Sequence, residues 1–206
     1  MKINLEKAKE ILVAISDNLI GREMELCKLD SFVGDGDHGT TVSKAFKNIK
    51  KTVIETKSDN ISDLFMASAE AVAEVMGGAI GPIFSSILFG MSYSTKGKME
   101  LDTTDIADMF MTALEKVQAV GGAQVGDKTL VDSLYPATLA LKENSDLGLK
   151  EAMSIAAEKA YTGAQGTKNL VAKKGRAHFL GEDSLNYVDA GSMTMYYFVQ
   201  TFADYI

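Results

Sequence analysis

The stretch Gly34-Asp35-Gly36-Asp37-His38-Gly39 separates two segments in which apolar residues recur at helical spacing. Upstream, the apolar residues between Leu5 and Ile20 fall near one face of a helix. Downstream, a second helix is predicted from about Thr41 to Thr56. Glycine permits tight backbone turns, so successive aspartates of the stretch can point the same way. The pattern predicts two helices joined by an acidic loop.

Helical periodicity continues to the C-terminus, and alternating strand patterns are scarce. Further helices are predicted from Ser62 or Asp63 to Gly77-Gly78, from near Pro82, from Thr104 or Asp105 to Gly121-Gly122, from about Thr129 to Glu143, from Gly148 to about Gln165, and after Ala190-Gly191. Pro136 is expected to kink its helix or to mark a late start of it. About eight helices with short connections indicate an all-α bundle. The stretch 166–190 lacks this periodicity, and so long a connection is often functional.

Length and composition restrict the class of protein. The chain has 206 residues, which favours one domain over residues 1–206. Its net charge of −7, without a basic face, argues against nucleic-acid binding. The N-terminus lacks the apolar core of a signal peptide, and the longest apolar run, residues 80–93, is too interrupted to span a bilayer. We expect a cytoplasmic protein that does not bind membranes.

Three carboxylates are concentrated around the opening stretch. Asp30, Asp35 and Asp37 lie within eight residues, and crowding like charges is unfavourable unless a cation binds there. Carboxylate oxygens, phosphate oxygens and waters are the ligands that Mg²⁺ prefers. A helix N-terminus directly downstream would favour a bound phosphate. The alternative from composition alone is a solvated acidic loop whose aspartates only cap helices.

Three further segments at predicted helix ends could contact phosphate groups. Residues 77–82 are rich in glycine, but taken alone they are better explained by a tight turn between helices. Residues 121–129 include Gly126, Asp127, Lys128 and Thr129 without P-loop spacing, and Asp127 could be a plain N-cap. In residues 175–192, Arg176 could pair with phosphate oxygens or form an exposed salt bridge.

The four segments, taken in order, resemble the L subunit of dihydroxyacetone kinases, which is the nucleotide-binding half of those enzymes. The resemblance rests on Asp30 with residues 34–39, on 77–82, on 126–137 and on 175–191. It covers nearly the whole chain. It implies a closed barrel of eight antiparallel helices with the nucleotide bound at one end.

The resemblance also implies roles for individual residues. Asp30, Asp35 and Asp37 would bind two Mg²⁺ ions that bridge the phosphates of ADP or ATP. No residue is expected to act as a covalent nucleophile. The nucleotide-binding residues implied by the resemblance are His38, Gly39, Thr40, Thr41, Ala79, Ile80, Gly121, Gly122, Leu130, Arg176, Asp189, Ala190 and Gly191.

By the same resemblance, tightly bound ADP would be phosphorylated by a phosphohistidine of an M subunit. The resulting ATP would phosphorylate dihydroxyacetone held on a separate K subunit. The resemblance also leaves room for a homodimer of this chain. Alternatives are an ATP-dependent kinase subunit for another small hydroxy-ketone or an acyl group, and a non-catalytic nucleotide sensor that binds a regulator. Ile80 departs from the resemblance, since a small polar residue is usual there, and Ala190 replaces a common proline.

Overall fold

The computed structural model describes residues 2–55, 57–78 and 80–206. Helices dominate this part of the chain, with two very short strands and two 3₁₀ segments. The elements are β1 (Ile3–Asn4), α1 (Leu5–Gly21), α2 (Glu23–Asp30), α3 (His38–Glu55), α4 (Ile61–Val75), α5 (Ile80–Ser94), β2 (Glu100–Leu101), α6 (Thr103–Gly121), α7 (Val131–Glu143), α8 (Leu149–Gly166), the 3₁₀ segments Thr167–Asn169 and Arg176–Ser184, and α9 (Ala190–Asp204).

Eight helices form a closed ring. The sequence of neighbours is α1, α3, α4, α5, α6, α7, α8 and α9, and α9 packs against α1 to close it. The short helix α2 lies outside this order, against α3 and α9. The prediction of an all-α closed bundle of about eight helices is therefore confirmed.

The ring encloses a continuous apolar core to which every long helix contributes a buried stripe. Aromatic pairs connect helices across it, with Phe46 of α3 and Phe84 of α5 in an edge-on arrangement at 5.7 Å between ring centroids. Helices α5 and α6 approach closely at Gly90, where an added Cβ would lie 2.8 Å from the Cα atom of Ala113. No α-helix in the described ranges has the length and apolar character to cross a bilayer.

Helix starts follow capping side chains rather than the positions predicted from periodicity. Helix α4 begins after Asn60, whose side chain accepts a hydrogen bond from Asp63 N, so the predicted start at Ser62 or Asp63 was late. Helix α6 begins after Asp102 with a reciprocal capping box, where Thr104 or Asp105 was predicted. These caps satisfy amide groups that the first helical turn leaves unpaired.

Other predicted boundaries also differ from the structure. Helix α3 begins at His38 rather than about Thr41, and its predicted end at Thr56 lies outside the described residues. Helix α7 begins at Val131 rather than Thr129 and continues through Pro136. Pro136 is the sixth residue of the helix, so it lacks the amide that would donate to the Asp132 carbonyl, and the helix continues without that hydrogen bond. Helix α2 was not predicted, since only Leu26 of its eight residues is fully buried.

Candidate functional site

The N-termini of α3, α5 and α9 converge on one open pocket of about 580 Å³. The end of α4 and residues 174–177 complete its wall. Helix N-termini carry a partial positive charge and unpaired amide groups, which favour bound anions. The arrangement therefore suits a polyanionic ligand such as a phosphate chain.

The acidic loop forms the part of this wall that precedes α3. One oxygen from each of Asp30, Asp35 and Asp37 can be chosen so that all three lie within 4.8 Å of one another. The loop turns tightly because Gly34 N donates to the Asp30 carbonyl at 2.6 Å and Gly36 has φ +75°. At Gly34 there is no room for a Cβ beside the Asp30 carboxylate. Close backbone packing thus folds the loop back and clusters the carboxylates.

The three aspartates carry more negative charge than the neighbouring Arg176 neutralises. Burial raises the pKa of Asp37, the charge of Asp35 adds to the rise, and Arg176 opposes it. The Arg176 guanidinium forms an ion pair with Asp35 and a second with Asp37 at 3.5 Å. Like charges at this spacing are stabilised by a nearby cation, and three carboxylate oxygens are a suitable donor set for Mg²⁺. The residues therefore fit a magnesium site.

His38, the first residue of α3, connects the acidic loop to α9. Its backbone amide donates to Asp30 Oδ2 at 3.3 Å, and its Nε2 lies 2.8 Å from Thr194 Oγ1. Burial lowers the pKa of His38 to about 4, with the Asp30 charge opposing the shift. A neutral imidazole at physiological pH acts here as a hydrogen-bonding group that holds α3 against α9.

Asp189 is the N-cap of α9 and also lines the pocket. Its Oδ2 accepts a hydrogen bond from Ser192 N at 2.6 Å. Burial raises the pKa of Asp189 to about 6, although the Ser192 hydrogen bonds oppose the rise. Asp189 therefore organises the first turn of α9, while Ala190 presents the start of that helix to the pocket.

The structure brings most of the predicted site residues together. Those that line the pocket are Asp30, Asp35, Asp37, His38, Thr40, Thr41, Ile80, Arg176, Asp189 and Ala190. Ala79 lies outside the described residues. The predicted residues that do not line the pocket are Gly39, Gly121, Gly122, Leu130 and Gly191.

Several residues of the second group adjoin the pocket wall. A Cβ built on Gly122 would lie 3.6 Å from Nζ of Lys174, which lines the pocket, and one on Gly191 would lie 3.6 Å from Leu130 N. Gly39 packs against α2, where an added Cβ would lie 2.7 Å from Cys27 N. Their assignment to nucleotide binding stays a prediction.

The segment containing Gly126 to Thr129 has a different role from a phosphate loop. Lys128 is buried and donates to the carbonyls of Thr167 at 2.8 Å and Tyr187 at 2.6 Å. Asp127 is not an N-cap of α7, because it accepts from Gln124 N at 2.9 Å. The N-cap of α7 is Leu130, which makes no side-chain capping hydrogen bond, and Asp132 in the first turn accepts from Thr129 N at 2.7 Å. The N-cap interpretation of Asp127 was therefore wrong, and Lys128 does not line the pocket.

Two lysines at the pocket were missed by sequence reasoning. Lys44 follows Thr40 and Thr41 at helical spacing on α3, so the face of that helix could have indicated it. Lys174 lies two residues before Arg176 in the aperiodic stretch. With Arg176 they place three cationic side chains around the pocket of an acidic protein.

Comparison with known proteins agrees with this architecture. The family model described as the DAK2 domain matches residues 32–204. The chain belongs to the DAK2 domain family. It is 30% identical to a Lactococcus lactis protein named PTS-dependent dihydroxyacetone kinase, ADP-binding subunit DhaL, covering 99% of both chains. The predicted relationship to the L subunit of dihydroxyacetone kinases is thereby confirmed.

The chain also matches part of some longer proteins. The chain is 30% identical to a probable dihydroxyacetone kinase of Dictyostelium discoideum, covering 93% of this chain but 32% of that protein. A crystal structure of the dihydroxyacetone kinase of C. freundii superposes with a TM-score of 0.77 at 25% identity, over 96% of this chain and 34% of that one. The chain thus spans about a third of the length of these two relatives.

Proposed function

We propose that this DAK2-domain chain is the nucleotide-binding subunit of a dihydroxyacetone kinase, which holds ADP or ATP with Mg²⁺ in the pocket at the start of α3. The observation that carries the proposal is the cluster of Asp30, Asp35 and Asp37 at the mouth of a pocket surrounded by helix N-termini. The match over the full length of an ADP-binding subunit supports the same conclusion.

The metal would bind to the acidic loop. Asp30, Asp35 and Asp37 would supply carboxylate oxygens for two Mg²⁺ ions, with phosphate oxygens completing the coordination. Bound Mg²⁺ neutralises phosphate charge and thereby favours phosphoryl transfer. Arg176, now paired with Asp35 and Asp37, would be free to pair with phosphate oxygens once the carboxylates hold a cation.

The remaining pocket residues would orient the phosphate chain. Thr40 and Thr41 lie in the first turn of α3, Lys44 lies one turn further on, and Lys174 also lines the pocket. Charge complementarity between these groups and a phosphate chain favours one orientation of the nucleotide. The base would then lie toward Gly121 or Gly122 and Leu130, as the resemblance implies, and the turn from Asp189 to Gly191 would close the site with Arg176.

Ile80 changes one contact in this arrangement. It is the first described residue of α5 and packs partly against the core while lining the pocket. A hydroxyl contact to the phosphate is therefore missing at this position, although Ile80 has a backbone amide. We expect nucleotide binding to persist with one fewer hydrogen bond.

The subunit would act with two partners in the cytoplasm. ADP would remain bound and accept a phosphoryl group from a phosphohistidine of an M subunit, which would regenerate ATP without release of the nucleotide. The γ-phosphate would then pass to dihydroxyacetone on a K subunit. Transfer is a matter of positioning and charge neutralisation, so the chain needs no covalent nucleophile.

The test is the nucleotide content and charging of the purified protein. We expect ADP to be recovered after denaturation, and a phosphohistidine donor protein to convert it to ATP in the presence of Mg²⁺. Asp37→Asn should reduce nucleotide retention at least tenfold, because the cluster loses a charged ligand. Asp108→Asn is the matched control, since Asp108 is a half-exposed carboxylate paired with Lys142 outside the pocket.

The outcomes distinguish the alternatives. Absence of adenine nucleotide, together with no binding of added MgADP, would refute the proposal. Nucleotide that binds but is never charged or transferred would indicate a sensor instead. Transfer to another small hydroxy-ketone in preference to dihydroxyacetone would keep the kinase but change its acceptor.

A further inference from the structure

The segment from Thr167 to Asp189 delivers two cationic side chains to the pocket without a core of its own. Lys174 and Arg176 line the pocket. Between residues 167 and 189 only Thr167, Ala172 and Ser184 are fully buried. Apolar burial therefore contributes little to the position of this segment. It is attached to the rest of the chain by hydrogen bonds, by the Arg176 ion pairs and by the stacking of Tyr187 on Phe32.

The hydrogen bonds that join the segment to residues outside it come mainly from two consecutive residues, Asp127 and Lys128, which we name the clamp. Lys128 Nζ donates to the carbonyl oxygens of Thr167 and Tyr187, which stand near the two ends of the segment. The Asp127 carbonyl accepts from Lys173 N at 3.0 Å, and its carboxylate lies 3.2 Å from Lys173 Nζ. The clamp thus contacts the segment at both ends and directly before Lys174.

Lys128 holds an unfavourable position to make these contacts. Its exposed fraction is 2%, and its φ of +61° is uncommon for a residue with a side chain. A buried ammonium group is destabilising unless its protons are hydrogen-bonded. Burial lowers the pKa of Lys128, whereas the charges of Asp189 and Asp132 oppose the shift. Strain and burial of this kind persist where the surroundings fix a residue, often close to functional sites.

We propose that Lys128 is a positioning residue for the nucleotide site: by binding the carbonyls of Thr167 and Tyr187 it fixes the segment that presents Lys174 and Arg176 to the phosphate chain. The inference rests on the function proposed above for the pocket. Lys128 does not line the pocket. It acts through Arg176, which in this structure reaches the carboxylates of Asp35 and Asp37.

The first measurement needs no nucleotide. Amide hydrogen exchange is compared between the wild-type protein and Lys128→Met, which keeps the length of the side chain and removes its donors. We expect residues 170–186 to exchange about tenfold faster in the variant, because loss of a charged hydrogen bond favours local opening. Ile106→Val, a fully buried change near the start of α6, controls for general loss of stability.

The second measurement couples Lys128 to Arg176. MgADP affinity is measured for the wild type, Lys128→Met, Arg176→Gln and the double variant. We expect Lys128→Met to weaken affinity about tenfold in the wild-type background and by no more than about threefold, through Lys174, when Arg176 is already replaced. Asp127→Asn retains the backbone contacts of the clamp, loses the Lys173 ion pair, and should weaken affinity in the same direction if Lys128→Met does not fold.

The two measurements test the proposed function and the positioning role of Lys128 separately. A wild-type protein that binds no MgADP would refute the proposed function, while the exchange measurement would still test the clamp. Normal binding by the wild type, with unchanged exchange and affinity in Lys128→Met and Asp127→Asn, would refute the positioning role. An equal loss of affinity with and without Arg176 would show that Lys128 does not act through that residue.

Discussion

Gly34 shows how a single residue sets the geometry of the acidic loop. Its amide donates to the Asp30 carbonyl, and a Cβ at this position would collide with the Asp30 carboxylate. The distance between Asp30 and the later aspartates therefore depends on an unsubstituted backbone at residue 34. The role of this glycine is close approach rather than a left-handed conformation.

Gly34→Ala is expected to weaken Mg²⁺ binding about tenfold or more, because the Asp30 side chain must move out of the cluster. Titration calorimetry of Mg²⁺ in the presence of ADP provides the measurement. Gly148→Ala is the control, because Gly148 has φ −61° and open space around its Cα atom. Equal Mg²⁺ affinity in the two variants would contradict the geometry described for the loop.

Arg176 and His38 illustrate two ways in which the site handles charge. Arg176 is an exposed cation that neutralises Asp35 and Asp37. His38 is kept neutral by burial and serves as a hydrogen-bonding group beside the same carboxylates. The cluster therefore receives its positive charge from a movable side chain, which a metal ion can replace.

At the scale of elements, the contact between α5 and α6 depends on small residues. Gly90 faces the Ala113 backbone so closely that a methyl group has no space. Gly166, the last residue of α8, has φ −63° and nothing within 4 Å of an added Cβ. The two glycines are both helical and differ mainly in the space around them.

Gly90→Ala should therefore destabilise the protein by about 1–3 kcal/mol through overpacking, despite the better helix propensity of alanine. Gly166→Ala should be neutral or stabilise it by up to about 1 kcal/mol. Urea denaturation monitored by circular dichroism measures both changes. Comparable effects in the two variants would show that helix propensity, and not the α5–α6 contact, determines the response.

At the scale of the whole molecule, helices that are distant in sequence meet at the pocket. Its wall contains the starts of α3, α5 and α9 together with residues 174–177. A ligand that binds all of these at once would connect helices on several sides of the ring. Binding that is restricted to the folded state raises the free energy of unfolding by mass action.

MgADP at about one hundred times its dissociation constant is expected to increase the free energy of unfolding by about 2.7 kcal/mol. Removal of Mg²⁺ with EDTA should abolish most of this increase, since the carboxylate cluster then repels the phosphates. Thermal unfolding with ADP alone, Mg²⁺ alone and both together provides the measurement. Full stabilisation by ADP in EDTA would contradict a metal-dependent site.

Local signals in the sequence were sufficient for much of the fold. Apolar spacing predicted the long helices and their number, because each helix buries one stripe in a common core. The first residues of α4 and α6 could not be predicted exactly from the sequence. Asn60 and Asp102 cap these helices through hydrogen bonds that only the structure shows. Helix α2 carries too little buried apolar surface to produce a recognisable pattern.

The site residues likewise include some that the sequence predicts and others that only the structure shows. The aspartates at 30, 35 and 37 were evident from their spacing, since they are close in sequence and separated by glycines. The sequence does not show that Lys44, Lys174 and Ile80 share a pocket with that loop, because this depends on how α3, α5 and the 167–189 segment pack. The buried position of Lys128 was also inaccessible, and its motif pointed to phosphate binding instead.

The all-helical class, the acidic loop and the family follow from the amino-acid sequence, because they depend on residues that are near one another along the chain or on motifs in a fixed order. The shared pocket of several helix ends, the pairing of Arg176 with Asp35 and Asp37, and the bonds from Lys128 to main-chain carbonyls are visible only in the folded chain. Such contacts join residues far apart in sequence, and packing of the whole ring selects them.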